Sequence, residues 1–327
     1  MLNDLTVIVT IASRRHGNMD EVFAAYDEAL RPHVQDLSYV FVVDGGHDAA
    51  ATALDAIAAS NPAVRVIKLN HAFGESTALS IGFDAADSEW LLTLPPYLQI
   101  EPASMHKLLD QAGSHDLLSA RRWPIRGHLL NRISNKLFNR AVLAMTGLPF
   151  RDLGCGVRLL RKTVSTEVPV YGALHRFLPI TASQRGFSCV EVSLPQAQQD
   201  KELRVHGPST YIKRLIDLLT VFFLVKFTKR PLRFFGMAGS VSIAAGVAVL
   251  ALTIFQRLVM SMALADRPLM LLGLVLAVLG VQLFAVGLVG ELVIFMHARE
   301  LKEYTVLKTL NLEQATDDED RPGRQAG

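Results

Sequence analysis

Tyr39-Val40-Phe41-Val42-Val43-Asp44-Gly45-Gly46-His47-Asp48 decides how this chain is read. Five β-branched or aromatic residues in a row have the composition of a strand buried on both faces. A polar, glycine-bearing turn ends the run, and the alanine-rich residues 49–59 continue as a helix. Outward from this unit the pattern repeats. Residues 6–11 read as a buried strand and 19–30 have helical spacing. Residues 64–69 are a third strand, 75–86 a helix and 90–94 a fourth strand. Strands alternating with helices of this length predict an α/β domain with a mainly parallel sheet and helices on both faces. Ligands of such sheets bind beyond the carboxyl ends of the strands. Function is therefore to be sought in residues 12–15, 44–48, 70–75 and 95–101.

The chain has 327 residues, half of them apolar, and a mean hydropathy of +0.28. The apolar excess is concentrated late. Residues 236–255 carry no charge, nor do residues 269–290, and the second run continues past Glu291 to residue 296. Each is long enough to cross ~30 Å of hydrocarbon as a helix, so a two-helix transmembrane hairpin over residues 234–298 is predicted. Lys226, Lys229, Arg230 and Arg233 precede the first span, and Arg299, Lys302 and Lys308 follow the second. The connecting loop carries only Arg257, Asp266 and Arg267. Basic flanks stay inside, which predicts a multi-pass protein of the inner (cytoplasmic) membrane with both termini cytoplasmic. The amino terminus lacks the basic and apolar regions of a signal peptide.

Four segments result. Residues 1–208 form the α/β domain, 209–233 the juxtamembrane helices, 234–298 the hairpin and 299–327 a cytoplasmic tail whose end, from residue 317, has a disordered composition. In residues 209–229, Tyr211, Ile212, Leu215, Ile216, Leu218, Leu219, Phe222 and Phe223 make an apolar stripe opposite Lys213, Arg214 and Asp217. That is the pattern of a helix lying in a membrane interface. Cys155 and Cys189 have no metal-ligand spacing, and a cytoplasmic domain argues against their pairing. A net charge of +2 gives no basis for a nucleic-acid partner.

Further stretches follow the predicted strands. They are Asn70-His71-Ala72-Phe73-Gly74-Glu75; Leu98-Gln99 with Pro102; Arg151-Asp152-Leu153-Gly154-Cys155-Gly156-Val157-Arg158-Leu159-Leu160; Leu174-His175-Arg176-Phe177-Leu178; and Arg204-Val205-His206-Gly207-Pro208-Ser209-Thr210-Tyr211. With the turn at 42–48, their order and spacing resemble the membrane-anchored family 2 glycosyltransferases of GT-A fold, of the polyprenyl-phosphate and dolichol-phosphate type. The resemblance covers residues 5–300. It implies transfer of a sugar from a nucleotide to a lipid phosphate. Asp44 and Asp48 stand in the family's V-D-D-G-S-x-D turn. Gly74 and Glu75 lie in its second loop, and Gln99 is what survives of D-A-D-L-Q-D-P-P. As donor-binding remnants these five are candidate site residues. Asp152 matches the carboxylate near the acceptor and is the catalytic candidate, with a turn cap as the alternative. Arg158, Arg176 and Arg204 sit in matching motifs and are the candidates for lipid-phosphate binding, since a guanidinium fork suits phosphate.

The departures gather on the donor side. The first strand ends Thr10-Ile11-Ala12-Ser13-Arg14 where the family has P-x-Y-N-E. Val43 replaces the first aspartate of the second loop, and Pro95 and Tyr97 replace both metal carboxylates. Neither residue offers the carboxylate oxygen that Mg²⁺ or Mn²⁺ favours, so no metal cofactor is expected. Arg121, Arg122, Arg126 and Arg132 join the motif arginines in the later half of the domain. His175 is a titratable group near the expected site, and Glu291 is expected at the cytoplasmic interface of the second span. Three functions are open. One is a pseudo-glycosyltransferase that binds polyprenyl phosphate or associates with an active relative as homo- or hetero-oligomer. The second is a metal-independent transferase with Arg14 and Arg15 in place of the cation. The third is a membrane scaffold without ligand.

Overall fold

The computed structural model describes residues 2–13, 16–124, 140, 143, 147–170, 174–203, 231–260 and 268–297. The interfacial helix expected over 209–229, the tail, and Arg14, Arg15, Arg126, Arg132 and Arg204 lie outside the described residues.

A seven-stranded sheet organises the first 203 residues, in the order β3-β2-β1-β4-β6-β5-β7. β1 (Leu2–Ile11) lies between β2 (Val34–Val43) and β4 (Trp90–Leu94), parallel to both, and β3 (Val64–Lys68) extends the sheet beyond β2. The helices α1 (Met19–Leu30), α2 (Asp48–Ser60) and α3 (Glu75–Asp84) connect these strands. This is the alternation the sequence predicts. β1 and β2 start earlier than expected, at Leu2 and Val34, because Leu2 and Asp4 pair with Val34 and Asp36 although Asn3, Asp4, Gln35 and Asp36 are polar. Three strands follow β4: β5 (Leu117–Arg122), β6 (Arg158–Arg161) and β7 (Cys189–Leu194). β6 runs antiparallel to both β4 and β5, while β5 and β7 are parallel.

Side chains alternate across the strands and fill two cores. Leu5, Val7, Val9 and Ile11 of β1 join Tyr39, Phe41 and Val43 of β2 under α1 and α2. Ile8, Val40 and Val42 point the other way, to Ala78, Leu79 and Phe83 of α3. A Cβ on Gly82 would stand 2.5 Å from the Ile8 side chain, so this glycine lets α3 press onto β1. Six strands end on one edge of the sheet, and β6 alone runs the other way. The loops of that carboxyl edge carry every motif residue found by sequence between 44 and 99.

Two long helices, Pro231–Met260 and Pro268–His297, complete the described chain. Both are long and apolar enough to cross a membrane, and most of their length is not buried within the protein. They pack through glycines. A Cβ on Gly239 would meet the Gly280 carbonyl at 2.6 Å, and one on Gly246 the Ala277 nitrogen at 2.6 Å. Ser242 donates across the pair to the Leu276 carbonyl at 2.8 Å. Glu291 accepts from the Leu232 amide at 3.3 Å and so caps the amino end of the first helix.

Candidate active site

Asp44 follows β2 directly and is buried. Its Oδ1 accepts from the Phe73 amide at 2.7 Å and its Oδ2 from the Gly74 amide at 2.8 Å. The Gly45 amide donates to the His71 carbonyl at 3.2 Å, and a Cβ on Gly45 would stand 2.5 Å from the His71 carbonyl carbon. Only glycine allows this approach. Gly74 has φ +96° and starts α3, a backbone conformation that favours glycine. Asp44 thus pins the 70–74 loop against the end of β2. Asp48, exposed, stands in the first turn of α2, where a carboxylate complements the helix dipole. The rings of His16 and His47 meet edge to face, centroids 6.0 Å apart, at the ends of β1 and β2.

The end of β4 is packed tightly. Pro95 and Pro96 are buried, and the Pro96 carbonyl accepts from the Gly17 amide at 2.8 Å. Gln99 donates to the Tyr97 hydroxyl at 2.7 Å and accepts from the Gly156 amide at 2.8 Å. It bridges the β4 loop to the motif loop before β6. Tyr26 donates to the Tyr97 carbonyl at 3.2 Å, and burial pushes its phenol far above the ordinary value. A divalent cation does not fit these residues. Proline has no side-chain donor atom, the tyrosine hydroxyl is engaged by Gln99, and Asp44, at the end of β2, has both oxygens on backbone amides. Among the described residues no three His, Cys, Asp or Glu side chains are grouped to hold a metal.

On the other side of the site a turn, Leu174–Phe177, is fixed from two directions. The Arg158 guanidinium is buried and donates to the carbonyls of His175 at 2.6 Å, Arg176 at 3.2 Å and Leu153 at 3.4 Å. Its Nε has no hydrogen-bond partner, and burial lowers its pKa. The His175 Nδ1 lies 2.8 Å from the Ser76 hydroxyl, and its Nε2 lies 3.2 Å from a Glu75 oxygen. Glu75 therefore joins the first turn of α3 to the turn that carries Arg176. Burial opposes ionisation of Glu75, but His175, Arg176 and Arg158 outweigh it and hold the carboxyl below the usual range. Arg158, Arg176, Glu75, Ser76 and His175 are thus brought together, and Gly74 and Asp44 adjoin them through the 70–74 loop.

Asp152 stands apart from this cluster. It is buried against Arg122, whose Nε and Nη2 each reach a carboxylate oxygen at 2.7 Å. The Arg122 amide adds a third bond at 3.1 Å. The remaining Nη1 reaches both oxygens of Asp200, at 3.1 and 3.2 Å, and Gln196 donates to Asp200 at 2.5 Å. Asp152 is held as the partner of a buried cation, with both of its oxygens on the Arg122 guanidinium. Arg122 is correspondingly removed from the surface arginines. Next to this triad the Glu191 carboxylate accepts from the Arg151 and Asp152 amides at 2.7 and 2.9 Å, and burial raises its pKa. Asp200 and Ser76 were not singled out by sequence. Neither lies at a motif position, and only the fold brings them to their partners.

Residues 23–167 match the model of glycosyl transferase family 2. The chain carries a family 2 glycosyltransferase domain. Its sheet is of GT-A type, with the two long apolar helices following it. Over 279 residues, 82% of this chain and 81% of the relative, it is 25% identical to the dodecaprenyl-phosphate galacturonate synthase of Rhizobium johnstonii. It is 29% identical over 293 residues, 88% of this chain and 84% of the relative, to an undecaprenyl-phosphate 4-deoxy-4-formamido-L-arabinose transferase of Pseudomonas paraeruginosa. The glycosyltransferase domain is also similar to a solved structure of glucosyl-3-phosphoglycerate synthase from Mycobacterium tuberculosis, at 14% identity over 66% of this chain and 78% of that one, with a TM-score of 0.49.

Proposed function

We propose that this glycosyltransferase-fold protein binds polyprenyl phosphate at the cytoplasmic face of the inner membrane and has lost metal-dependent transfer from sugar nucleotides. It acts there as a lipid-phosphate binder or as the partner of an active relative. The observation that carries this reading is the end of β4. Pro95 and Tyr97 supply no carboxylate, and their loop is packed into the protein by Gly17, Tyr26, Gln99 and Gly156. A nucleoside diphosphate leaving group needs its charge stabilised as the bond breaks. The lipid-phosphate side keeps its cations. Arg158 shapes the turn, and Arg176 stands exposed on it. A polyprenyl phosphate is already ionised, so positioning matters more than a base, in keeping with Asp152 being committed to Arg122.

The deciding experiment has two arms. Calorimetric titration of the full chain in detergent with UDP- and GDP-sugars is expected to show no binding gained from Mg²⁺ or Mn²⁺. Micromolar, metal-dependent binding overturns the proposal. Polyprenyl-phosphate retention in nanodiscs is expected to fall about tenfold in Arg176→Ala and Arg204→Ala, since a charge-assisted hydrogen bond contributes about 1.5–3 kcal/mol. Arg65→Ala, whose guanidinium donates to the Ala85 carbonyl away from the site, is the control. Equal retention in all variants favours a scaffold without ligand.

A second reading is a metal-independent transferase. It is favoured by the relatives, which are named as a synthase and a transferase and align over more than four fifths of the chain. Sugar transfer to polyprenyl phosphate that persists in excess chelator would establish it over the first.

A further inference from the structure

Among the described residues ahead of the two long helices, large apolar side chains stand exposed at Phe73, Trp123 and Leu143. Trp123 is 58% exposed, and Arg121 stacks on its ring with the guanidinium carbon 4.6 Å from the centroid. Strand geometry explains the pair. Successive residues point to opposite faces, so Arg122 turns inward to its aspartates while Arg121 and Trp123 share the outward face. The position is fixed on both sides. The Trp123 amide donates to the Leu194 carbonyl, at 2.8 Å, where β7 ends. Arg122, next to it, is locked to Asp152 and to Asp200 of the helix Gln198–Leu203. An exposed indole on so rigid a base does not fold away from water.

The chain's course beyond β7 bears on what this indole meets. β7 ends beside Trp123, the helix Gln198–Leu203 follows, and the next described element is the long apolar helix from Pro231. The described domain therefore ends, on the way to the two long helices, at the same corner of the sheet that displays Trp123. Indole has an apolar body and one N–H donor, which suits the boundary between headgroups and acyl chains. Arginine beside it suits lipid phosphate. The charged group facing Arg121 from the neighbouring strand is Glu191, and its carboxylate is engaged by the Arg151 and Asp152 amides.

We propose that Arg121 and Trp123 form a membrane-contact point, with the indole seated at the headgroup boundary and the guanidinium on lipid phosphates. This surface would hold the carboxyl edge of the sheet, and so the candidate site, against the bilayer. The proposal rests on the two long helices crossing a membrane and on no particular ligand, so it stands or falls separately from lipid-phosphate binding in the site.

The chain has two tryptophans, and the other, Trp90, is 4% exposed in the core. Fluorescence therefore tests the idea on the full protein in nanodiscs. Lipids brominated near the carbonyl end of their acyl chains are expected to lower the Trp123 emission about twofold, and aqueous iodide far less. The Trp123 signal is the difference between the wild type and Trp123→Phe; the Trp90→Phe variant isolates it directly. The residual Trp90 emission should be untouched by either quencher. Quenching of Trp123 by iodide but not by brominated lipid overturns the proposal. Arg121→Glu should weaken lipid quenching more in anionic than in neutral bilayers. Equal quenching in both would remove Arg121 from the contact.

Discussion

Arg122 is the bulkiest of the fully buried side chains among the described residues, and two carboxylates pair with it. Removing one member of a buried ion group leaves the others unpaired in a medium that solvates them poorly. Arg122→Met is therefore expected to cost about 3–5 kcal/mol, well beyond a surface arginine such as Arg65. Thermal unfolding in detergent measures it, and a loss no larger than that of Arg65→Ala would mean that the triad contributes little. Glu75 gives a pH-dependent expectation. A carboxyl whose folded pKa lies below its unfolded value stabilises the fold above the unfolded pKa, and the contribution fades as pH falls through the folded one. His175, Arg176 and Arg158 depress Glu75 against the opposing effect of burial. Wild-type stability should accordingly fall more steeply than that of Glu75→Gln between about pH 5 and pH 3. Parallel curves would show that the contact with His175 is unimportant. Residues of this kind are hard to read from sequence. Arg121 and Arg122 are adjacent and identical in type, yet one faces outward and the other is the centre of a buried triad. The motif residues were legible as a group, but motif matching carried no information on which atoms of Asp44, Asp152 or Arg158 would be spent on backbone.

Among the elements, legibility follows periodicity and punctuation. β1 to β4 and the helices between them are apolar runs ended by glycine or polar turns, and each appears where its pattern places it, with β1 and β2 extended at their amino ends. The strands after β4 lack that rhythm. β6 is only Arg158-Leu159-Leu160-Arg161, and it becomes a strand because it inserts antiparallel between β4 and β5. Such pairing is a tertiary fact with no local signal. The long helices show the converse. Their existence is plain from composition, but their mutual packing depends on where the glycines fall. At Gly246 a side chain would run into the backbone of Ala277 and Gly273, and at Gly280 into the backbone of Gly239 and Ile243. Close approach of backbones through small residues is what joins apolar helices when lipid is as apolar as their side chains. Gly246→Val or Gly280→Val is expected to cost about 1–3 kcal/mol by overpacking. The check is the separation of the two helices, read by spin labels at their outer faces. Unchanged distances in both variants would mean that the glycines are not what sets the pairing.

For the molecule as a whole, two kinds of attraction hold a protein to a membrane, and salt separates them. Charge attraction between basic residues and anionic lipid is screened, with a Debye length of about 3 Å at 1 M salt. Burial of apolar surface is not weakened by that change. Here the outer faces of both long helices are lined by exposed Leu, Val, Phe and Met side chains, from Met237 and Val241 to Leu292 and Met296. Nothing within the described protein covers them. So large an apolar surface is stable only in lipid, detergent or a protein partner. Glu291 fits the same picture. It sits late in the second helix but level with the start of the first, where it caps the Leu232 amide, so the carboxylate belongs to the end of the pair and not to its middle. The full chain should therefore stay in the membrane fraction through a 1 M salt wash and leave only with detergent. Glu291→Gln should remain there too, because an end-capping group does not decide insertion. Recovery of the wild type in the salt supernatant would rule out the hairpin as a span. Loss of the Glu291→Gln variant alone would show that the cap is required for the pair to form at all.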